Sequence, residues 1–347
     1  MKKSLIALLV ASMPAAAFAD VTIYGAIKGG VEYVDNGSVK KTNIDDLGSR
    51  IGFKGAEDLG NGLKAIWQVE TGFNIDGTTG SGSHSGTFAN RNSFLGLQSN
   101  LGTLRFGNVS NYLDSDMGVV DTWSYNNAAL GLGIFTRDGD RLKNSVRYDL
   151  PTIVPGLTAA FQYGTKEDKT AATGDRETSI VGLGYENSGF FGKYAYIHQS
   201  KATTAASYKA NDKHQLEVGY NANNLFVGFG YKQSKGGADV VGSDWASLVA
   251  ASIKAPKTTD DVKAVEYALT AGYTFGAITP KFSYVHGDNV KVNGVSQDNT
   301  KYDQYVLGAD YALSKRTTVG AQYGQIAVKG DGNKDLKTFG LNMVHNF

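Results

Sequence analysis

The last ten residues of the chain, TFGLNMVHNF (338–347), alternate between large side chains and small or polar ones. Only Val344 breaks the alternation. The large or amphipathic set is Phe339, Leu341, Met343, His345 and Phe347. A period of two residues is typical of a β-strand with one apolar face. Because chain ends are usually frayed and polar, the pattern predicts a strand that stays within a sheet up to the terminal residue.

The first 19 residues, MKKSLIALLVASMPAAAFA (1–19), have the three parts of a secretory signal peptide. Two lysines precede an apolar region that starts at Leu5, and Ala17-Phe18-Ala19 is a small-x-small cleavage site. A retained membrane anchor is the alternative, but the apolar part is shorter than the ~20 residues that a spanning helix needs. We therefore expect the signal to be removed and residues 20–347 to form a single exported domain.

The composition is typical of a protein with many strands, tight turns and aromatic girdles. Glycine makes up 44 of 347 residues, and there are 19 tyrosines, 16 phenylalanines and 5 prolines. The usual glycine content is only about 7%. The mean hydropathy of −0.25 suggests a soluble protein, yet membrane barrels also score low because lipid-facing and lumen-facing residues alternate. The composition therefore favours a transmembrane β-barrel.

Several classes of site are not expected. The chain has no cysteine, which excludes disulfides and thiol chemistry, and its formal net charge of +1 argues against nucleic-acid binding. The glycine-rich stretch 77–86 lacks the ending of a phosphate loop, and 331–335 lacks the turn glycine and closing glutamate of a calcium loop. The five histidines have no metal-binding spacing. We predict no cofactor, no metal and no catalytic residue.

The alternation of the final strand recurs in about sixteen segments along the chain. In LKAIWQVETGF (63–73), for example, Leu63, Trp67 and Val69 alternate with polar residues. Short turns join some segments, and long polar connections join the others: 35–46, 75–90, 108–140, 165–177, 199–212, 234–262, 287–300 and 327–335. Short turns at one rim and long loops at the other are the plan of an outer-membrane barrel, with the short turns in the periplasm.

Periodicity alone does not separate such a barrel from a soluble β-sandwich, whose apolar face would point into a core. The aromatic residues favour the barrel, because they cluster near segment ends, where a girdle at the membrane interface would place them. In hydrocarbon an open sheet edge would leave backbone groups unpaired, so the sheet must close. We expect the last strand to pair with the first, and Phe347 to face lipid.

Several blocks together resemble the trimeric general porins of Gram-negative bacteria, especially the neisserial and other β-proteobacterial class. They are DVTIYG (20–25), SRIGFKGAEDLGNGLKAIWQVE (49–70), RNSFLGLQ (91–98), LGTLRFGN (101–108), VRYDLP (146–151), YALSKRT (311–317) and the final phenylalanine. The resemblance covers nearly the whole mature chain. It implies an all-β, sixteen-stranded antiparallel transmembrane barrel in the outer membrane that passes ions and small hydrophilic solutes by passive diffusion.

The resemblance also implies partners. Porins of this class are homotrimers that contact outer-membrane lipid and lipopolysaccharide. The barrel-assembly machinery reads their final strand as a signal, which assigns that role to Phe347 here.

In that family the third long loop folds into the barrel as a constriction, and the matching loop here runs from about Gly107 to Asp140. Family porins set acidic loop residues against a basic wall. The loop candidates are Asp114, Asp116 and Asp121. On the wall, Arg50 and Arg91 fall on family arginine positions, and the inward alternation adds Lys64, Arg105 and Arg147. Opposed rows of charge would set a transverse field across a narrow aqueous gap.

Two features leave details of this constriction open. The loop lacks the PEFGG-like motif of enterobacterial porins, so the sequence does not show which aspartate faces the lumen. Bases and acids nearly balance, and we expect a weak preference for anions.

Within the long connection 234–262, SDWASLVAASIK (243–254) has the spacing of a short amphipathic helix, with a disordered loop tip as the alternative.

Two further functions are compatible with a barrel. An outer-membrane barrel enzyme would hydrolyse a substrate through a serine or histidine, but the sequence contains no motif for one. An adhesin or receptor would use the barrel only to display loops and would show no conductance. We predict a diffusion channel and not an enzyme.

Overall fold

The computed structural model describes residues 21–78, 88–125, 127, 129–165, 176–201, 209–241, 259–330 and 335–347. The predicted signal peptide and the predicted helix at 243–254 lie outside these residues, as do most of the stretches 77–86 and 331–335.

The described residues form nineteen strands, a four-residue helix α1 (Tyr112–Ser115) and a 3-10 turn at Ala238–Val241. The strands are β1 Thr22–Asp35, β2 Lys40–Asp46, β3 Arg50–Gly60, β4 Leu63–Gly72, β5 Ser93–Ser99, β6 Gly102–Ser110, β7 Arg141–Asp149, β8 Leu157–Gly164, β9 Thr178–Asn187, β10 Phe190–Gln199, β11 Asn211–Ala222, β12 Leu225–Gly236, β13 Val262–Tyr273, β14 Ile278–Gly287, β15 Lys291–Val292, β16 Val295–Ser296, β17 Tyr302–Ala312, β18 Thr317–Val328 and β19 Leu336–Asn346. In this part of the chain no helix is long and apolar enough to cross a membrane.

These nineteen strands make sixteen barrel positions. β2 and β3 pair with the same side of β1, β2 along 29–35 and β3 along 22–26, so together they form one broken strand. β14 and β15 pair in the same way with β13, and β16 only forms a small hairpin with β15. The predicted long connections 35–46 and 287–300 were therefore wrong in part, because they contain β2 and the β15–β16 hairpin.

The barrel closes where the chain ends meet. β19 pairs antiparallel with β1 from Ala26–Asn346 to Asp35–Lys337. The Phe347 amide donates to the Gly25 carbonyl at 3.1 Å, and the Gly25 amide donates to the Phe347 carbonyl at 3.0 Å. Closure leaves no open edge on either terminal strand. The predicted pairing of the last strand with the first is confirmed.

The outer wall is apolar and the inner wall is polar. On β19, Phe339, Leu341 and Met343 are about half exposed, while the alternate residues Thr338 and Asn342 are buried inside. The same arrangement holds around the barrel, where exposed leucines, valines and tyrosines alternate with inward residues. A soluble sandwich would bury the apolar set instead. The outer face therefore has the character of a surface that meets lipid.

The loop between β6 and β7 (111–140) folds into the barrel and covers part of the inner wall. Its apolar residues form one buried cluster with inward wall residues: Val120, Leu132, Ile134 and Phe135 pack with Ala268, Val285, Val306 and Ile326. The wall provides space through glycines. A side chain at Gly324 would meet the backbone of Ala129, and one at Gly182 would meet the Tyr112 ring. The predicted inward fold of this loop is confirmed.

Candidate functional site

Arg147 of β7 ties the start of the loop to the wall. Its guanidinium forms salt bridges of 2.7 Å with Asp116 of the loop and 2.7 Å with Asp149 of the wall. It also donates to the Ser110 carbonyl at 2.9 Å and to the Ser115 hydroxyl at 2.6 Å. The Arg147 side chain is only 2% exposed. It is thus enclosed by loop and wall instead of projecting freely into the lumen.

Asp138 ties the end of the loop to the wall on the other side. Its carboxylate lies 2.6 Å from the Lys213 ammonium of β11 and 2.5 Å from the Lys232 ammonium of β12. Lys232 also donates to the Phe135 carbonyl at 2.8 Å. Burial alone would raise the pKa of Asp138, but the charges of the two lysines and of Arg137 outweigh it and hold this pKa well below its usual range. Asp138 is therefore charged at any physiological pH.

Further inward polar groups hold the middle of the loop. Glu217 of β11 accepts from the Gly118 and Val119 amides at 3.0 and 2.9 Å. Arg137 of the loop lies 2.6 Å from Glu266 of β13. The Lys281 ammonium donates to the Thr122 carbonyl at 2.6 Å. Because both ends and the middle are anchored, the loop is a fixed part of the lumen.

The wall formed by β1, β3, β4 and the residues just before β5 carries a second group of charges. Glu70 lies 2.6 Å from the Nε atom of Arg91 and 3.8 Å from that of Arg50. The Tyr24 hydroxyl donates to the same carboxylate at 3.0 Å. Lys28 lies within electrostatic range of both guanidiniums. Asp46 is also within electrostatic range of Lys28. Arg50, Arg91, Lys28 and Glu70 are called the open-wall cluster below. Even with Asp46 counted, three basic side chains stand against two carboxylates, which leaves an excess of positive charge.

The open-wall cluster is not attached to the loop. Within the described part of the chain, no hydrogen bond or ion pair joins Arg50, Arg91 or Glu70 to residues 111–140. The side chains of Arg50 and Arg91 are 31% and 16% exposed. These two predicted wall bases therefore keep access to the lumen.

The other two predicted wall bases lie elsewhere. Arg105 pairs with Asp149, the residue that also binds Arg147. Lys64 is exposed and sits beside the short β3–β4 turn, opposite Asp58 and Gln98 in the sheet register. By sequence alternation Lys64 faces the same way as Gln68 and Glu70, but it lies at the rim that carries the short turns.

The three predicted loop acids have different environments. Asp114 is exposed, with its nearest ion partner Arg141 at 3.8 Å. Asp116 pairs with Arg147. Asp121 accepts from the Leu132 amide at 2.9 Å and from the Trp123 amide at 3.3 Å, which fastens the loop to itself. Removal of this carboxylate from water raises the pKa of Asp121 to about 6. Only Arg147 and Asp116 bring a predicted wall base and a predicted loop acid together.

Sequence reasoning did not assign the residues that anchor the loop: Lys213, Glu217, Lys232, Glu266 and Lys281. Alternation places each of them on the polar face of its strand, and this was the available signal. Their partners lie 75 or more residues away in the chain, for example Lys213 and Asp138. A period of two reveals which way a side chain points, but not what folds against it.

A closed barrel with an apolar exterior, a polar interior and a fixed loop inside it is an outer-membrane channel. Residues 4–331 match the model of the Gram-negative porin family. The chain is 38% identical over 381 residues to the major outer membrane protein P.IB of Neisseria sicca, with the full length of both chains covered.

Solved structures share the fold. The anion-selective porin from Comamonas acidovorans superposes with a TM-score of 0.74 at 23% identity, covering 95% of this chain and 100% of the other. The trimer form of OmpT, an outer membrane protein of Vibrio cholerae, gives a TM-score of 0.68 at 15% identity over 95% of this chain and 99% of the other.

The chain belongs to the Gram-negative porin family. It is a general diffusion porin that spans the outer membrane with many strands. Membership of this family implies a channel rather than an enzyme.

Proposed function

We propose that the open-wall cluster and the inward loop form the constriction of this porin. Arg50, Arg91 and Lys28 supply the basic side, and the loop narrows the lumen from the opposite wall. The support is the lumen access of both arginines and the absence, within the described residues, of hydrogen bonds and ion pairs from the loop to them. Ions and small hydrophilic solutes pass this point by diffusion, because apolar solutes would have to displace ordered water.

The remaining predicted residues receive separate roles in this proposal. Arg147, Asp116 and Asp121 keep the loop in place. Arg105 neutralises Asp149 beside Arg147. Asp114 is the one predicted loop acid that faces the aqueous gap, because it is exposed and its nearest ion partner is 3.8 Å away. Lys64 acts at the periplasmic rim, where it contributes to the field that an ion meets on leaving or entering.

The proposed constriction prefers anions. The observation that carries this is the charge balance around Glu70, where one carboxylate faces two guanidiniums, and the Lys28 ammonium nearby has Asp46 within electrostatic range. Fixed charge of one sign at a narrow point raises the local concentration of the opposite ion. The preference weakens with salt, because the Debye length is about 8 Å at physiological ionic strength and about 3 Å at 1 M.

The reversal potential of single channels in a salt gradient tests this proposal. Arg50→Glu combined with Arg91→Glu exchanges two positive charges for two negative ones, so selectivity shifts towards cations. The matched control is Lys40→Glu combined with Lys41→Glu, two exposed lysines of β2. A reversal potential that stays the same in the double arginine variant overturns the constriction assignment.

We also propose that the protein works as a homotrimer, like the trimer form of OmpT. Its outer wall contacts outer-membrane lipid and lipopolysaccharide, and the barrel-assembly machinery recognises its last strand with Phe347. Transport is passive, with no catalytic step. Stepwise conductance in multiples of three tests the trimer, and the absence of hydrolysis by the purified protein tests the passive mechanism.

A further inference from the structure

The seam of the barrel lies between β1 and β19, the strands at the two ends of the barrel sequence. Every other pair of neighbouring barrel positions is also joined by a connecting segment of the chain, whereas the seam is held by non-covalent contacts alone. Pairing of distant segments carries the largest loop-closure cost, and chain ends fray most readily. The seam is therefore the pairing that gains most from additional contacts.

The hydroxyl of Tyr125 lies on this seam. Tyr125 belongs to the inward loop, and its hydroxyl donates to the Leu341 carbonyl of β19 at 2.8 Å and to the Val31 carbonyl of β1 at 3.1 Å. Since a hydroxyl has one hydrogen to donate, the two acceptors share it. Val31 and Leu341 are direct register partners, so a single loop side chain joins both strands at one point.

The two carbonyls also belong to the hydrogen-bond ladder of the seam. Gly25 and Phe347 exchange both of their backbone hydrogen bonds, and such pairs recur at every second position of an antiparallel ladder. The unbroken register makes Val31 and Leu341 a pair of this kind. Each carbonyl oxygen has a second lone pair, so the Tyr125 hydroxyl adds to the seam hydrogen bonds without replacing them.

Glycines on the inner wall make room for Tyr125. A side chain at Gly30 of β1 would meet the Tyr125 hydroxyl, and one at Gly340 of β19 would meet the Tyr125 ring and Leu130. Tyr125 is only 3% exposed and packs with Leu47 and Leu130 in a buried cluster. The two seam strands are thus shaped to receive this loop residue.

The loop residues after Tyr125 bind the strands on both sides of the seam. The Asn127 side chain donates to the Glu32 carboxylate of β1. On the other side, the Gln322 side chain of β18 donates to the Leu130 carbonyl at 2.6 Å. The loop therefore crosses the seam and is hydrogen-bonded beyond it in both directions.

The contact continues onto β17. The Gln304 side chain donates to the Gly131 carbonyl at 2.7 Å and to the Ala129 carbonyl at 3.3 Å. Gln304 and Gln322 are at most 2% exposed, so these hydrogen bonds form where water competes little. The described loop residues that make these contacts are called the seam strap: Tyr125, Asn127, Ala129, Leu130 and Gly131.

We propose that the seam strap gives the inward loop a second function, which is to hold the barrel closed from the inside. The strap contacts β17, β18, β19 and β1. A local separation of β1 from β19 has to break the strap contacts as well as the ladder, which raises the free energy of opening. This function is separate from the proposed constriction, in which Arg50 and Arg91 act.

Hydrogen exchange of the folded full chain in detergent tests the seam strap. Tyr125→Phe removes only the hydroxyl, so amide exchange in β1 and β19 should become about fivefold faster, the equivalent of one net hydrogen bond of about 1 kcal/mol. Exchange in β10 to β12 should stay unchanged. The matched control is Tyr112→Phe in the same loop, whose hydroxyl pairs with Thr158 of β8 at 3.1 Å. In this control the exchange of β1 and β19 should stay within about twofold of the wild type.

A disulfide across the seam separates the strap function from general packing of the loop. Val34 and Thr338 are direct partners on the inner face, in a non-hydrogen-bonded pair whose Cα spacing of about 4.5 Å suits a disulfide. The chain has no cysteine of its own. In oxidised Val34→Cys/Thr338→Cys, adding Tyr125→Phe should no longer speed the exchange of β1 and β19, and reduction should restore the effect.

Two results overturn the proposal. One is seam exchange that rises equally in Tyr125→Phe and Tyr112→Phe, and the other is a rise in Tyr125→Phe that persists when the disulfide is oxidised. If Tyr125→Phe does not fold alone, the oxidised disulfide should restore its folding, because it supplies the closure that the strap provides. A bridged Tyr125→Phe variant that still does not fold also contradicts the proposal.

Discussion

The Arg147 guanidinium of the barrel wall lies 2.7 Å from the Asp116 carboxylate of the inward loop. The pair closes off the first turn of the loop, since Arg147 also binds the Ser110 carbonyl and the Ser115 hydroxyl. Asp138 repeats the arrangement at the other end, again with the acid on the loop and the bases on the wall. A loop held at both ends by buried charge sets a fixed pore size.

Loss of the anchor at Asp138 should loosen the loop. Asp138→Asn leaves the 1%-exposed Lys232 without its 2.5 Å carboxylate partner. Removing one partner of a buried ion pair typically costs about 3–5 kcal/mol. We expect a lower midpoint of heat unfolding in detergent and greater open-channel current noise. Asp140→Asn, on an exposed neighbour, is the control, and equal noise in both variants would refute the anchoring role.

Removing the charge of Glu70, the buried acid of the open-wall cluster, should shift the ion selectivity in the opposite direction to Arg50→Glu combined with Arg91→Glu. Glu70→Gln deletes the carboxylate 2.6 Å from Arg91 and keeps a hydrogen-bonding side chain of similar size. The uncompensated positive charge rises, so the salt-gradient reversal potential should move further towards anions. Glu57→Gln, on an exposed residue of β3, should produce little change. A shift towards cations in Glu70→Gln would contradict the proposed selectivity.

The stability of the loop should depend on pH through Asp121. Its pKa is raised in the fold from 3.8 to about 6, so the folded state holds a proton that the unfolded state releases. The contribution of the protonated Asp121 to the free energy of unfolding is fully present below about pH 4 and is lost as the pH rises through about 6. We expect the heat-unfolding midpoint of the wild type, relative to Asp121→Asn, to fall between pH 4 and pH 7. A difference between the two proteins that does not vary with pH would exclude this role, and Asp140→Asn should follow the wild type.

The terminal side chain should matter for assembly more than for the finished barrel. Phe347 closes the barrel through its backbone, and its ring is 41% exposed on the outer wall. Phe347→Ala keeps both backbone hydrogen bonds, so refolding into detergent should proceed. Its level in the outer membrane of cells should drop several-fold. Met343→Ala, also outward on β19 and 50% exposed, is the matched control, and equal levels of the two variants would argue against recognition of the last residue.

Alternation revealed the barrel because lipid on one side and water on the other impose one rule on every strand. Residues such as Leu341 and Asn342 follow it without reference to any distant partner. The same logic assigned Lys64, Arg105 and Arg147 to the inner wall, whereas Arg50 and Arg91 were assigned there by their match to family arginine positions. The alternation rule failed at β2, because the polar segment 40–46 has the composition of a loop and yet pairs with β1. A turn precedes this strand, and in it the Asn36 side chain accepts a hydrogen bond from the Val39 amide at 2.8 Å.

The interior of the lumen was less predictable, since the loop has no period that relates it to the wall. Asp121 and Asp116 look alike in the sequence, as acids of the same loop, but their surroundings differ. Asp121 hydrogen-bonds within its own loop, whereas Asp116 pairs with Arg147 of the wall. The sequence predicted that Arg147 lines the pore, although in the structure the loop encloses it. Such differences arise from packing between segments far apart in the sequence.

The most direct test of the proposed lumen uses the absence of cysteine from the chain. Arg50→Cys introduces a single thiol on the open wall, and Leu183→Cys introduces one on the outer wall, where Leu183 is 49% exposed. A negatively charged, water-soluble thiol reagent is added during single-channel recording. The expected result is a stepwise fall in current for Arg50→Cys and none for Leu183→Cys. A fall for Leu183→Cys with an unchanged current for Arg50→Cys would contradict the assignment of the inner and outer walls.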